Sequence, residues 1–147
     1  MTRFIIGIVA VIVAAALAVV ILLPGDEPRV AATDSAAASD GFSERYQPYS
    51  EEALAAAGPD DTVVLFFSAV WCSTCKVLRD DIAAQPESIP DDVLILLVDY
   101  DDSTDLKQQY GVTYQHTLVQ VDRTGAGIAR WELSRSLEEL LSTIVEV

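Results

Sequence analysis

The stretch TVVLFFSAVWCSTCK, Thr62 to Lys76, restricts the possible folds of this chain more than any other. Its first half is an apolar, β-branched and aromatic run of the length and composition of a buried strand. Its second half places Cys72 and Cys75 in a C-x-x-C spacing. From there Cys72, Cys75, Leu78 and Ile82 recur near helical spacing until Pro86 ends the helix. A thiol at the first turn of a helix meets unpaired backbone N–H groups and the positive end of the helix dipole, and both favour its thiolate. Lowering a thiol pKa from ~8.5 to ~7 takes roughly 2 kcal/mol, within reach of these two effects. The second cysteine lies one turn deeper, where it can attack a mixed disulfide formed at the first.

Three uses of such a pair compete. One is dithiol–disulfide exchange. Another is an inert disulfide, but a loop this short removes little entropy from the unfolded chain and stabilises poorly. The last is metal binding. A structural zinc site normally takes four ligands, and beyond its carboxylates the chain adds only His116, its single histidine. No organic cofactor is implied.

The N-terminus has a different character. Phe4 to Leu23 is an unbroken apolar run of 20 residues, stopped by Pro24-Gly25. At ~1.5 Å per residue such a helix spans roughly 30 Å, the thickness of a bilayer's hydrocarbon core, and it has no polar face. Arg3 precedes the run and Asp26-Glu27 follow it. That polarity puts residues 1–3 in the cytoplasm, 4–23 across the membrane and the rest outside the cytoplasm. The alternative is a signal sequence cleaved to release a secreted protein, although the run is longer than the usual ~7–15 apolar residues. Residues 24–47, rich in Ala, Ser, Asp, Gly and Pro, read as a flexible linker. The chain carries 9 Lys+Arg against 23 Asp+Glu. A surface this acidic repels phosphates, so no nucleic-acid partner is expected, and the membrane is reached through the apolar segment alone.

Residues 48–147 read as one folded domain. A short capped helix (SEEALAAAG) leads into the first strand and the cysteine helix. DVLILLVDY follows as a strand covered on both faces, and STDLKQQYG as a helix closed by glycine. TLVQVD and GIARWEL pair as a hairpin around RTGAG. SRSLEELLSTIVEV closes the chain as a helix with Leu137, Leu140, Leu141 and Ile144 on one side. The order α-β-α-β-α-β-β-α gives an α/β fold with a mixed sheet.

With VLFFSAVWCSTCK, VDYDD, QQYGVTYQHTLVQVDRTG and a closing helix in this order, residues 48–147 resemble the thioredoxin-like superfamily. The resemblance implies a thioredoxin-like fold, a central mixed sheet flanked by helices. It also implies a thiol–disulfide oxidoreductase in which Cys72 is the nucleophile, Cys75 the resolving thiol, and Cys72–Cys75 the redox disulfide. Trp71, Ser73, Thr74 and Lys76 complete the motif around the pair and modulate it. With the N-terminal segment as anchor, the substrates expected are thiols or disulfides of exported proteins, served by a membrane redox partner.

The sequence departs from the family pattern in three places. The dipeptide between the cysteines is Ser73-Thr74. Phe66 stands where cytoplasmic thioredoxins carry a buried acid. His116 stands where the family has a cis-proline facing the cysteine pair. A non-proline cis bond costs ~2.5–4 kcal/mol, so the Gln115–His116 bond is either trans with an adjusted loop or cis and strained. At that position the imidazole can be a bystander, a modulator of the thiols, or a third ligand with Cys72 and Cys75 for copper or zinc. If the resemblance governs the backbone, His116→Pro leaves the fold intact.

Overall fold

The computed structural model describes residues 41–146. The apolar segment 4–23, and the linker as far as residue 40, lie outside the described residues. Among the described residues no helix is long and apolar enough to cross a membrane.

The element order is β1 (Tyr46–Pro48), α1 (Glu51–Ala55), β2 (Thr62–Ser68), α2 (Ser73–Ala84), a 3-10 turn at Pro86–Ser88, β3 (Val93–Asp99), α3 (Thr104–Tyr110), β4 (Thr117–Val121), β5 (Gly127–Glu132) and α4 (Leu137–Thr143). The strands form one sheet in the order β1-β3-β2-β4-β5. β1 and β2 flank β3 in parallel, while β4 runs antiparallel to both β2 and β5. This is the mixed sheet expected from the sequence, including the β4–β5 hairpin. Asp122 folds the hairpin turn, its carboxylate accepting from the amides of Thr124 (2.8 Å) and Ala126 (2.9 Å).

Side chains of the central strands alternate between two cores, as the two-residue period of a strand requires. On one face Val64, Phe66, Ile95 and Leu118 pack against α2 and α4 through Leu78, Ile82, Leu137 and Leu140. On the other, Val63, Leu65, Phe67, Leu96 and Val119 pack against α1 and α3 through Leu54, Leu106 and Tyr110. The cysteines belong to the first core.

Two elements differ from the expectation set by the sequence. Residues 41–47 belong to the domain rather than to the linker. Tyr46 is buried, Phe42 packs on it with ring centroids 5.2 Å apart, and Ile95 N–H donates to the carbonyl of Arg45 (2.9 Å). Composition missed β1 because it is three residues long, ends in proline and lies at a sheet edge. Likewise, α4 stops at Thr143 and does not reach the chain end. Buried Gln120, mid-strand in β4, donates to the carbonyl of Val145 (2.8 Å) and accepts from its amide (2.9 Å). The last residues satisfy that side chain and are not available to extend the helix.

Candidate functional site

Cys72 is the residue immediately before α2, and its sulfur takes the place of a capping oxygen. The amide of Cys75 donates to Cys72 Sγ at 3.3 Å, filling one of the donors a helix start leaves open. Cys72 and Cys75 are not joined by a disulfide in this structure, and both are buried. Cys72 keeps 6% of its surface exposed and Cys75 none.

The surroundings drive the two thiols apart. Burial pushes the Cys72 thiol up, but hydrogen bonds from the Cys75 thiol, the Thr74 hydroxyl, the Cys75 amide and the Gln115 side chain outweigh it. The net pKa lies below that of an ordinary cysteine. Cys75 moves the other way. Burial, then its hydrogen bond to Cys72, push it up to about 11, against smaller opposing contributions from the Ala69 backbone and the Ser68 side chain. A nucleophile ionised before its neighbour, with that neighbour protonated and shielded, is the asymmetry that stepwise disulfide exchange needs.

His116 faces the pair, at the place the family pattern gives to proline. It is 1% exposed and its ring lies 5.4 Å from that of Phe66. The expected acid at position 66 is thus replaced by an apolar wall against which the imidazole packs. Its Nε2 lies 2.8 Å from the carbonyl oxygen of Ser134, which can only accept, so Nε2 carries the proton. Nδ1 is then free to accept from the Thr74 hydroxyl, 3.0 Å away. The same hydroxyl is 3.2 Å from Cys72 Sγ. Thr74 therefore links the Cys72 sulfur to the imidazole with a single proton between two acceptors. Desolvation lowers the His116 pKa, against smaller raising effects from the Ser134 backbone and Glu139. The resting ring is neutral at neutral pH, so His116 does not hold a standing positive charge beside Cys72.

The backbone here settles the question of the peptide bond. No described residue has a cis bond, and His116 sits at φ 61°, in the left-handed region. Its amide donates to Phe67 O (2.8 Å) and its carbonyl accepts from Leu133 N (3.1 Å). This corrects the expectation for His116→Pro. Proline fixes φ near −65° and has no N–H, so in this backbone it would lose the bond to Phe67 and force the loop to rebuild.

The remaining motif residues lie around the rim. Trp71 is 62% exposed, and its indole N–H donates to Asp101 at 2.9 Å in the loop after β3. Ser73 is exposed. Lys76 turns away from the sulfurs to pair with Asp80 on the outer face of α2. Sequence reasoning missed three neighbours. Gln115 reaches Cys72 from the loop before β4. Ser68, at the end of β2, has a side chain that slightly lowers the Cys75 pKa against the larger effect of burial. Arg79 donates to Ser68 Oγ and, at 3.2 Å, to Ala69 O, so it braces the floor beneath Cys75. Arg79 was within reach of sequence reasoning, since it lies four residues after Cys75 on the same helix face.

The thioredoxin family profile matches residues 46–146. The chain is 33% identical over 97 residues to thioredoxin of Pongo abelii, covering 62% of this chain and 90% of that one. Against human thioredoxin it is 34% identical over 97 residues, covering 66% and 89%. The crystal structure of Trxlp from Edwardsiella tarda EIB202 superposes with a TM-score of 0.55 at 25% identity, covering 69% of this chain and 99% of that one.

Proposed function

The chain belongs to the thioredoxin family and is a thiol–disulfide oxidoreductase, and we propose that it exchanges disulfides with exported proteins from a membrane anchor. The observation that carries the chemistry is the divergence of the two thiols, joined by the Cys75 amide donating to Cys72 Sγ at 3.3 Å: Cys72 lowered and slightly exposed, Cys75 fully buried and raised to about 11. Cys72 thiolate attacks a substrate disulfide, forming one S–S bond and releasing one substrate thiolate. Cys75 then attacks Cys72 Sγ, releases the second substrate thiolate and closes the Cys72–Cys75 disulfide. Run backwards from the disulfide, the same steps oxidise a dithiol. Trp71, Ser73 and Thr74 form the surface a substrate meets, His116 tunes the pair through Thr74, and Lys76 contributes a distant charge.

The location rests on the sequence alone. Residues 4–23 anchor the chain, 1–3 remain in the cytoplasm, residues from 24 to about 40 form the tether, and the domain faces outward. Outside the cytoplasm no glutathione pool resets the pair, so a membrane redox partner completes the cycle.

Reduction of insulin disulfides by the full-length protein tests the chemistry, and activity that survives Cys72→Ser would overturn it. For location, Cys72 and Cys75 are the only cysteines in the sequence. Labelling of reduced intact cells by a membrane-impermeant maleimide supports the outward domain, and labelling only after lysis rules it out.

A further inference from the structure

The sulfurs of Cys72 and Cys75 and a ring nitrogen of His116 all lie within 4.8 Å of one another, and all three residues are buried. Among the described residues this is the one cluster of potential ligands of this kind. We propose that the reduced protein binds one Cu(I) ion through Cys72 Sγ, Cys75 Sγ and His116 Nδ1.

The donor set argues for the ion. Two thiolates and an imidazole are soft or intermediate ligands, suited to Cu(I) and zinc rather than to magnesium or calcium. Zinc takes a tetrahedral shell, and the cluster supplies three donors with only the neutral Thr74 hydroxyl beside them. Three donors without a fourth match a trigonal monovalent ion. Bonds of about 2.0–2.3 Å to each ligand bring trigonal donors to about 3.5–4 Å apart. From separations within 4.8 Å the site therefore closes by about 1 Å, within reach of a small rotation at Cys72.

The imidazole is already prepared as a ligand. A metal-bound histidine characteristically donates its other N–H to a carbonyl or carboxylate. His116 Nε2 does so to Ser134 O, which leaves the Nδ1 lone pair facing the cysteines. The Thr74 hydroxyl now holds that lone pair, but its side chain is exposed and can turn away. A proline at position 116 would offer no donor. Binding displaces the two thiol protons and leaves copper as Cu(I), with no electron transferred. The complex carries one net negative charge, received by the Cys75 amide and the start of the 12-residue helix α2. Oxidation of the pair by a protein disulfide consumes both sulfur ligands and expels the ion. Copper binding and disulfide exchange are therefore mutually exclusive uses of one dithiol, and the proposal stands independently of the exchange reading.

The test is an anaerobic titration of the reduced full-length protein with Cu(I) held by bicinchoninate, with X-ray absorption on the product. The expected result is one Cu(I) per chain, bound by two sulfurs and one nitrogen. Affinity should fall at least tenfold in His116→Gln and in His116→Ala, and by more in Cys72→Ser, a near-isosteric change. Failure to remove Cu(I) from bicinchoninate overturns the proposal. So does a shell of two sulfurs without nitrogen, or unchanged affinity in the His116 variants. A parallel titration with Zn(II) that fills the site while Cu(I) does not overturns the choice of ion. Insulin reduction measured on metal-free protein reports on exchange separately, so either reading can fail alone.

Discussion

The hydroxyl oxygen of Thr74 lies 3.0 Å from Nδ1 of His116, across 42 residues of sequence, and 3.2 Å from Sγ of Cys72. While Cys72 is a thiol, the Thr74 proton belongs to His116 and the sulfur can donate to Thr74. Once Cys72 ionises, the best place for that proton is the thiolate. Thr74 thus couples two titrating groups that do not touch. A hydrogen bond to a charged group is worth about 1.5–3 kcal/mol, or about one to two pKa units. Thr74→Val keeps the shape and removes the hydroxyl, so the Cys72 pKa should rise by about one unit and its alkylation rate at pH 7 should fall about tenfold. Thr74→Ser should restore most of that rate. Equal rates in Thr74→Val and the parent would show that the bridge does not act on the thiolate.

The two cysteines should titrate in separate windows. Alkylation by iodoacetamide follows the thiolate, so reactivity rises with pH through each pKa. Mass-resolved labelling should find Cys72 half-reactive below the ordinary thiol value of ~8.5. Cys75 should stay protected until the pH approaches about 11. Simultaneous labelling of both near ~8.5 would contradict the divergence of the pair.

β1 makes a stability prediction that composition alone would not. Tyr46 is 2% exposed, packs against Phe42 with the ring planes tilted by 49° and belongs to the same core as the cysteines. Removing a large aromatic side chain from a core typically costs about 3–5 kcal/mol. Tyr46→Ala should lower the urea midpoint accordingly, whereas Gln47→Ala, at a half-buried position, should shift it far less. If the two variants unfold together, β1 contributes little to the fold.

What the sequence disclosed depended on how local each signal was. β2 and β3 announce themselves because both faces are covered, so their residues are apolar without interruption. The cysteine pair is equally plain, since three residues of spacing and one strand–helix junction contain it. The end of α4 was not visible, because Gln120, 25 residues earlier, sets it by claiming the backbone of Val145. His116 lay between these cases. Alignment of YGVTYQHT with the family pattern placed the imidazole against the cysteines, but not its backbone. A φ of 61° at a non-glycine residue is held by Phe67 O, Leu133 N, Thr74 and Ser134, none of them near it in local sequence except through the fold. The same holds for Gln115 and Ser68, whose effect on the thiols requires tertiary contact.

His116 also gives the domain a definite acid-side pH dependence. Burial depresses its folded pKa, so the fold favours the neutral ring. Above the unfolded value of ~6.5 both states are neutral and the fold keeps its full stability. As pH falls through ~6.5 the unfolded chain takes up the proton first, and stability drops with pH until the folded pKa is reached. One proton sets the steepest slope at about 1.4 kcal/mol per pH unit. His116→Asn is the suitable comparison, because asparagine tolerates positive φ and its amide can bond to Ser134 or Thr74. Urea midpoints at pH 7.5, 6.5 and 5.5 should decline more steeply for the parent than for His116→Asn. Parallel declines would mean that the acid sensitivity comes from the carboxylates and that His116 is protonated in the fold as readily as out of it.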